Sequence, residues 1–131
     1  ALADPQRHLP GLYSIIDNMT GSRGANTLLA QYWTDALSAG VTDGCNAAMP
    51  AIPTDYVLPP EDAQAEPRLD EAVTLLNTGL NAVRDGWSDF AVACSARSLT
   101  QRAEAGLAAA QVANAAFQSA AAMLDLIRSG I

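Results

Sequence analysis

The sequence contains no lysine, only one histidine and only two cysteines, and aromatic residues make up 5% of it. Without lysine the chain cannot form a Schiff base or supply the lysine of a phosphate-binding loop. One histidine and two cysteines are too few ligands to predict a metal site. The seven basic residues are all arginine and are scattered, and the net charge is −7. We therefore expect no binding to nucleic acid. The longest uncharged run, Ala105 to Leu124, contains four polar residues and is otherwise mostly alanine, so we expect no insertion into a membrane.

Half of the 131 residues are apolar, and alanine, the strongest helix former, makes the largest contribution. Aromatic and β-branched clusters, which favour strands, are scarce. The length suits one domain with its own core. The composition therefore predicts a single all-α domain over residues 1–131.

The clearest pattern lies between Leu69 and Cys94, where apolar residues recur in alternating steps of four and three. This 3.5-residue period predicts a helix over about residues 68–96 that lays one stripe against partner helices. The stripe consists of Leu69, Val73, Leu76, Leu80, Val83, Trp87, Phe90 and Cys94. A third helix is predicted from a capping box at Ser98 and Gln101 to Gly130.

A column of small residues, spaced by seven, flanks the stripe. Glycine destabilises a helix by about 1 kcal/mol relative to alanine, so its recurrence in this column predicts close approach of another helix. The expected partner is the alanine-rich third helix, at an axis separation of about 8 Å. The column consists of Ala72, Gly79, Gly86 and Ala93.

The third helix has an outward column of its own, in a segment without charge. This column consists of Ala108, Ala115 and Ala122. Either the bundle and the crossover cover it, or it is a contact surface for another chain. The sequence favours neither interpretation.

The first apolar stretch runs from about Leu12 to Gly40 and is interrupted at residues 21–24, so it is either one broken helix or two helices. Residues 41–67 contain five of the seven prolines and are predicted to form a stiff, non-helical crossover. The predicted fold is therefore a three-helix bundle, or a four-helix bundle if the first element is split, with a long proline-rich crossover between helices one and two. Five apolar residues are expected to hold the crossover on the bundle: Met49, Ile52, Tyr56, Val57 and Leu58.

Cys45 and Cys94 are expected to form a disulfide, which is typical of small exported domains. The missing initiator methionine and the acidic surface favour this over two buried thiols, and they favour an extracytoplasmic location. A disulfide holds two Cα atoms about 5.5 Å apart, so the ends of helices one and two must lie at one pole. Helices one and two are then parallel, and the crossover returns along the bundle.

No nucleophile and base can be assembled from the sequence, so we expect neither an enzyme nor a cofactor. The first functional hypothesis is an interaction or structural module that contacts other protein chains, including copies of itself. The alternative is a bundle that binds a small ligand or acts as a sensor, through a pocket under the crossover lined by Trp33, Tyr56 and Trp87.

The remaining candidate groups are expected to be solvated. His8 lies in the N-terminal lead without a second histidine and is predicted to be exposed and uninvolved. Five carboxylates are expected to form solvated acidic faces: Asp55, Glu61, Asp62, Asp85 and Asp89.

Overall fold

The computed structural model describes residues 2–130, and within them the protein is all-α and has no strand. Five α-helices follow one another: α1 (Leu9–Thr20), α2 (Ala25–Ala39), α3 (Pro60–Ala65), α4 (Pro67–Ser95) and α5 (Leu99–Ser129). Two short 3-10 turns precede α1 and follow α2. The four longer helices pack against one another, so the predicted bundle is confirmed in its four-helix form. Within the described residues, no helix combines the length and the apolar character needed to cross a membrane.

Helices α4 and α5 form the most extensive helix pair of the bundle. The predicted stripe on α4 is buried from Leu69 to Phe90, and the side chain of Trp87 is 4% exposed. The predicted stripe is thus confirmed as far as Phe90, and its last member, Cys94, is half-buried. Buried positions recur on α5 at Ala103 and then, from Ala110 onward, in the same steps of three and four: Ala110, Ala113, Phe117, Ala120, Leu124 and Ile127.

Helices α1 and α2 form a rod that runs antiparallel to α5 and is broken at residues 21–24. Gln6 donates a hydrogen bond to the carbonyl oxygen of Ile127 at 3.2 Å, and Asn26 donates one to that of Ala110 at 2.9 Å. At the break, a Cβ on residue 24 would lie 2.5 Å from the carbonyl oxygen of Met19, so only glycine fits there. The first element is therefore two helices.

Helices α2 and α4 are parallel. The indole N–H of Trp87 donates to the carbonyl oxygen of Ala25, at the start of α2, over 3.2 Å. Cys45, just beyond the end of α2, is bonded to Cys94 in the last turn of α4, with 5.8 Å between the Cα atoms. The predicted disulfide and the parallel arrangement that follows from it are confirmed.

The crossover returns along α4 and is held there largely by polar contacts. The side-chain amide of Asn77 forms hydrogen bonds with the backbone N–H and the carbonyl oxygen of Tyr56, at 2.7 and 3.0 Å. Arg84 donates to the carbonyl oxygen of Pro53 and to Asp55, both at 2.5 Å. Side chains on α4 therefore satisfy backbone groups that the prolines leave without regular partners.

Only part of the predicted apolar attachment of the crossover is present. Ile52, Tyr56 and Leu58 pack against the core, but Met49 is 57% exposed and Val57 is 84% exposed. In an extended segment successive side chains point in opposite directions. When Tyr56 and Leu58 face the bundle, Val57 must therefore face solvent.

The predictions of a non-helical crossover and of a capping box at Ser98 are both wrong. The crossover is not wholly non-helical, because α3 begins at Pro60, and a proline fits the first turn of a helix. Ser98 occupies the N-cap position of α5, but its hydroxyl makes no capping hydrogen bond. Its backbone angles, φ −111° and ψ 18°, lie outside the extended geometry of a capping serine.

Candidate functional site

A buried polar cluster joins the N-terminal segment to the crossover, and we call Arg7, His8, Tyr56 and Asp62 the His8–Asp62 cluster. The imidazole of His8 lies with Nε2 2.7 Å from Asp62 Oδ2 and Nδ1 2.5 Å from the hydroxyl of Tyr56. Arg7 donates to the same Asp62 oxygen at 2.9 Å. The side chain of Asp62 is 0% exposed. Four groups, separated by up to 55 residues, thus converge on one point.

The expectations for two members of this cluster are wrong. The sequence predicts an exposed His8, but this residue is only 9% exposed. It also predicts a solvated Asp62, but this residue is fully buried. The reason is that α3 turns Asp62 inward, where the backbone N–H of Asp4 donates to its Oδ1 at 2.8 Å. A buried carboxylate requires such donors, and the N-terminal segment supplies them.

The electrostatics of the cluster keep Asp62 ionised and Tyr56 protonated. The hydrogen bond from His8 holds the pKa of Asp62 below its usual range, despite burial. Burial raises the pKa of Tyr56, and the charge of Asp62 raises it further against an opposing effect of Arg7. The order hydroxyl, imidazole, carboxylate also occurs in hydrolase triads, but a phenol with a raised pKa is a poor nucleophile. The arrangement is suited to clamping the chain segments together.

The three aromatic residues expected to line one pocket lie at different places in the fold. Trp33 packs edge-on against Phe90 with ring centroids 4.9 Å apart, and Trp87 lies beside the same ring at 6.2 Å. Tyr56 lies instead in the His8–Asp62 cluster, where its ring is 5.7 Å from that of His8. A cavity of about 490 Å³ does lie under the crossover, but Met19, Arg23 and Pro53 are among its lining residues and none of the three aromatics is.

The small column on α4 is buried and faces two helices of the same chain. A Cβ on Gly79 would lie 2.7 Å from the ring of Phe117 on α5, and one on Gly86 would lie 2.7 Å from Leu29 on α2. The expected partner, α5, is therefore the neighbour of Gly79, whereas Gly86 meets α2. Ala72 and Ala93 are 1% and 0% exposed. This column is buried by packing within the chain and is therefore not exposed for contact with another chain.

The outward column on α5 has the opposite environment. Ala108, Ala115 and Ala122 are all exposed. Val112 and Ser119 lie between them and are exposed too, with Val112 at 66%. We call these five residues the α5 outer face. No charged residue occurs between Glu104 and Asp125, so neither the bundle nor the crossover covers this neutral surface.

The other acidic residues follow the sequence prediction. Asp85 and Asp89 are exposed on the outer side of α4, and Glu61 is exposed at the start of α3. Asp55 is exposed as well, but Arg84 donates to it, and this hydrogen bond lowers its pKa. Solvated faces account for these four carboxylates, and only Asp62 departs from the pattern.

The His8–Asp62 cluster was missed because its members share no periodicity and lie far apart in the sequence. The only local signal is the pair Glu61 and Asp62 after two prolines, which fits the first turn of a short helix. Nothing in that signal identifies His8 as the partner. Comparisons of this chain with protein-family models, with curated proteins and with solved structures find no match.

Proposed function

We propose that this chain is a non-enzymatic interaction module that works outside the cytoplasm and associates through the α5 outer face. The observation that carries the proposal is an exposed, uncharged helix face in a chain with a net charge of −7. Helices at the surface of a bundle normally place charged residues opposite the core, because these residues interact well with water. A neutral column of small residues is better suited to contact with another helix, which it allows to approach closely.

A second copy of the chain is the partner that this face fits best. In a twofold dimer the same surface of both subunits meets, so a neutral column would contact a neutral column. The contact would remove Val112 from water without burying an unpaired charge. The acidic residues on α4 would remain solvated.

The disulfide supports the proposed location. Disulfides form and persist in oxidising compartments and are rare in the cytosol, where thiols are kept reduced. Cys45 is exposed, so a reducing environment would have access to this bond. Quantifying free thiols in the protein taken from its native cells tests the location: oxidised cysteines are expected, and two free thiols would contradict it.

Sedimentation of the full chain over a range of concentrations tests the association. We expect a reversible dimer, strengthened by added salt, because screening reduces the repulsion between two acidic subunits. Ala115→Arg should abolish the dimer, since it places a charge in the centre of the contact. A chain that stays monomeric up to about 1 mM, where even an association worth about 4 kcal/mol is detected, would contradict the proposal.

The matched control is Ala91→Arg, which makes the same substitution at an exposed position on α4. It should leave the dimer intact, because the outer side of α4 takes no part in the proposed contact. Both variants should retain the thermal stability of the wild-type monomer, since surface substitutions usually change stability by less than about 0.5 kcal/mol.

A further inference from the structure

The disulfide between Cys45 and Cys94 lies near the surface of the protein. Cys45 is exposed, and Cys94 is half-buried in the last turn of α4. Exposed disulfides are opened by other thiols more readily than shielded ones, and they include the labile and regulatory disulfides of proteins. The exposure of this bond therefore allows it to react as well as to cross-link the fold.

A cavity of about 390 Å³ is lined by both cysteines, and we call it the disulfide cavity. Its wall also contains Arg97 and the first two residues of α5, Leu99 and Thr100. The volume lies within the range of about 300–1,000 Å³ that is usual for small-molecule sites. A small molecule in this cavity would therefore contact both cysteine residues.

Arg97 supplies a positive charge to the disulfide cavity, and its backbone is strained. Its φ of 56° makes it the only non-glycine residue among residues 2–130 with a positive φ. This left-handed conformation is unfavourable for a residue with a Cβ, and directly after a helix it is usually adopted by glycine. Within residues 2–130 the side chain of Arg97 forms no ion pair or hydrogen bond. Strained residues cluster at functional sites, and this one lies beside the disulfide.

The charges around the cavity favour a thiolate at Cys94. The C-terminus of α4, which contains Cys94, and the N-terminus of α5, which begins at Leu99, carry partial charges of about one half and of opposite sign. The full charge of Arg97 therefore decides the balance. A neighbouring arginine lowers the pKa of a thiol, and a thiol of lower pKa leaves faster in disulfide exchange.

The chain around Cys45 has few contacts besides the disulfide, and we call residues 41–49 the Cys45 segment. All of its residues except Gly44 are exposed. A Cβ on Gly44 would lie 2.6 Å from the ring of Tyr32, so the glycine packs closely on that ring. The next apolar residue of the crossover that packs against the core is Ile52. The Cys45 segment can therefore shift when the disulfide opens.

We propose that the Cys45–Cys94 bond exchanges with a low-molecular-weight thiol that occupies the disulfide cavity. The thiolate of this molecule attacks Sγ of Cys45, which is the more exposed cysteine. A mixed disulfide forms at Cys45 while the original S–S bond breaks, and its electron pair stays on the sulfur of Cys94, which leaves as a thiolate near Arg97. The modified Cys45 segment is then released from α4, and Gly44 no longer covers Tyr32. This site is separate from the α5 outer face, so it goes beyond the proposed association.

Exchange of the folded protein with L-cysteine tests the proposal. Acid stops the reaction at intervals, and mass spectrometry of peptides locates the cysteine adduct. We expect the adduct mainly on Cys45. The rate constant should lie within about tenfold of that of the urea-unfolded chain, in which the fold no longer shields the bond.

Variants of Arg97 test its effect on the leaving thiolate. Arg97→Gln should slow the exchange of the folded protein by about threefold or more, because it removes the positive charge. Arg97→Lys keeps the charge and should restore most of the rate. The control Arg102→Gln removes an exposed charge that does not line the disulfide cavity, and it should leave the rate unchanged. Both positions are exposed, so the variants should fold like the wild type.

Three results would overturn the proposal. The first is a rate constant of the folded protein more than about tenfold below that of the unfolded chain. The second is an adduct mainly on Cys94, and the third is an unchanged rate in Arg97→Gln. None of these results depends on whether the chain dimerises, so they leave the proposed association to its own test.

Discussion

Helices α4 and α5 are nearly equal in length, with 29 and 31 residues, yet they differ in the side chains that they bury and in those that they expose. The buried side of α4 consists largely of bulky residues, including Leu76, Trp87 and Phe90, and its outer side is charged. Half of the buried residues of α5 are alanine, and its outer side is neutral between Glu104 and Asp125.

This difference distinguishes the residues that stabilise the fold, mainly on the buried side of α4, from the residues on the outer side of α5, which the fold does not require. Each large apolar side chain contributes roughly 1.5–3 kcal/mol when it is buried, so α4 supplies much of the stability. Alanine contributes little by burial. Room for the large rings comes from glycines, since Gly106 on α5 meets Trp33 and Gly79 on α4 meets Phe117. The packing therefore explains the inner side of α5, whereas nothing in the fold requires its outer side to be neutral.

The largest effect is expected on the buried side of α4. Trp87→Ala should lower the free energy of unfolding by about 3–5 kcal/mol, the usual range for a buried large aromatic. The same truncation at an exposed position of α5, Val112→Ala, should change it by less than about 0.5 kcal/mol. Denaturant unfolding measures both values. A loss below about 1 kcal/mol for Trp87→Ala would remove the contrast between the two helices.

The disulfide holds the end of α4 covalently, whereas α5 has no such bond. The free energy of unfolding of the double variant Cys45→Ala/Cys94→Ala should be about 4 kcal/mol lower than that of the wild type. The reason is that the bond closes a loop with a sequence separation of 49 residues. Denaturant unfolding of the variant and the oxidised wild type measures the difference. A loss below about 1 kcal/mol would mean that the unfolded chain is already ordered in this loop.

Leucine substitutions compare the inner and outer small residues directly. Gly79→Leu should destabilise the protein by about 1–3 kcal/mol or more, because the new side chain would collide with Phe117. Ala115→Leu on the α5 outer face should leave the stability of the monomer unchanged to within about 0.5 kcal/mol. Thermal melts at low concentration separate the two, and a Gly79→Leu variant that melts higher than the wild type would contradict close packing.

Unfolding at low pH tests whether the His8–Asp62 cluster adds to the stability that α4 provides. The pKa of Asp62 is lowered in the folded protein, so its contribution is fully present above the unfolded pKa of about 3.9 and is lost as the pH falls through the lower folded value. Asp62→Asn should therefore be less stable than the wild type at pH 7. The difference between their free energies of unfolding should decrease below about pH 4. Unfolding measured from neutral to acidic pH checks this.

Asp55→Asn is the matched control for that experiment. The pKa of Asp55 is also lowered, but the residue is exposed, so its contact with Arg84 is weakened by solvent. The difference in unfolding free energy between the wild type and Asp55→Asn should therefore change less with pH than the difference between the wild type and Asp62→Asn. A gap for Asp62→Asn that does not change with pH would show that the cluster holds no ionised carboxylate.

The sequence predicts the parts of the fold that depend on periodicity or on a single possible pairing. The stripe on α4 repeats over many turns, and the two cysteines have only each other as partners. The disulfide then determines that α2 and α4 are parallel, and the crossover is long enough to return along the bundle. These features depend on local spacing and chain length, which the sequence contains directly.

The parts that escape prediction depend on contacts between distant polar residues. His8 and Asp62 lie 54 residues apart and have no pattern that connects them. The indole N–H of Trp33 is buried without a hydrogen-bond partner among residues 2–130, and no local pattern in the sequence indicates this. The sequence also leaves the exposure of Ala108 and Ala115 open, since this exposure depends on where the crossover lies.

Amide chemical shifts of the wild-type chain, recorded at increasing concentration, test most directly whether α4 and α5 differ in function as well as in packing. We expect concentration-dependent shifts at the α5 outer face, centred on Val112 and Ala115, and constant shifts at Asp85 and Ala91 on α4. Constant shifts along both helices, or shifts confined to α4, would contradict it.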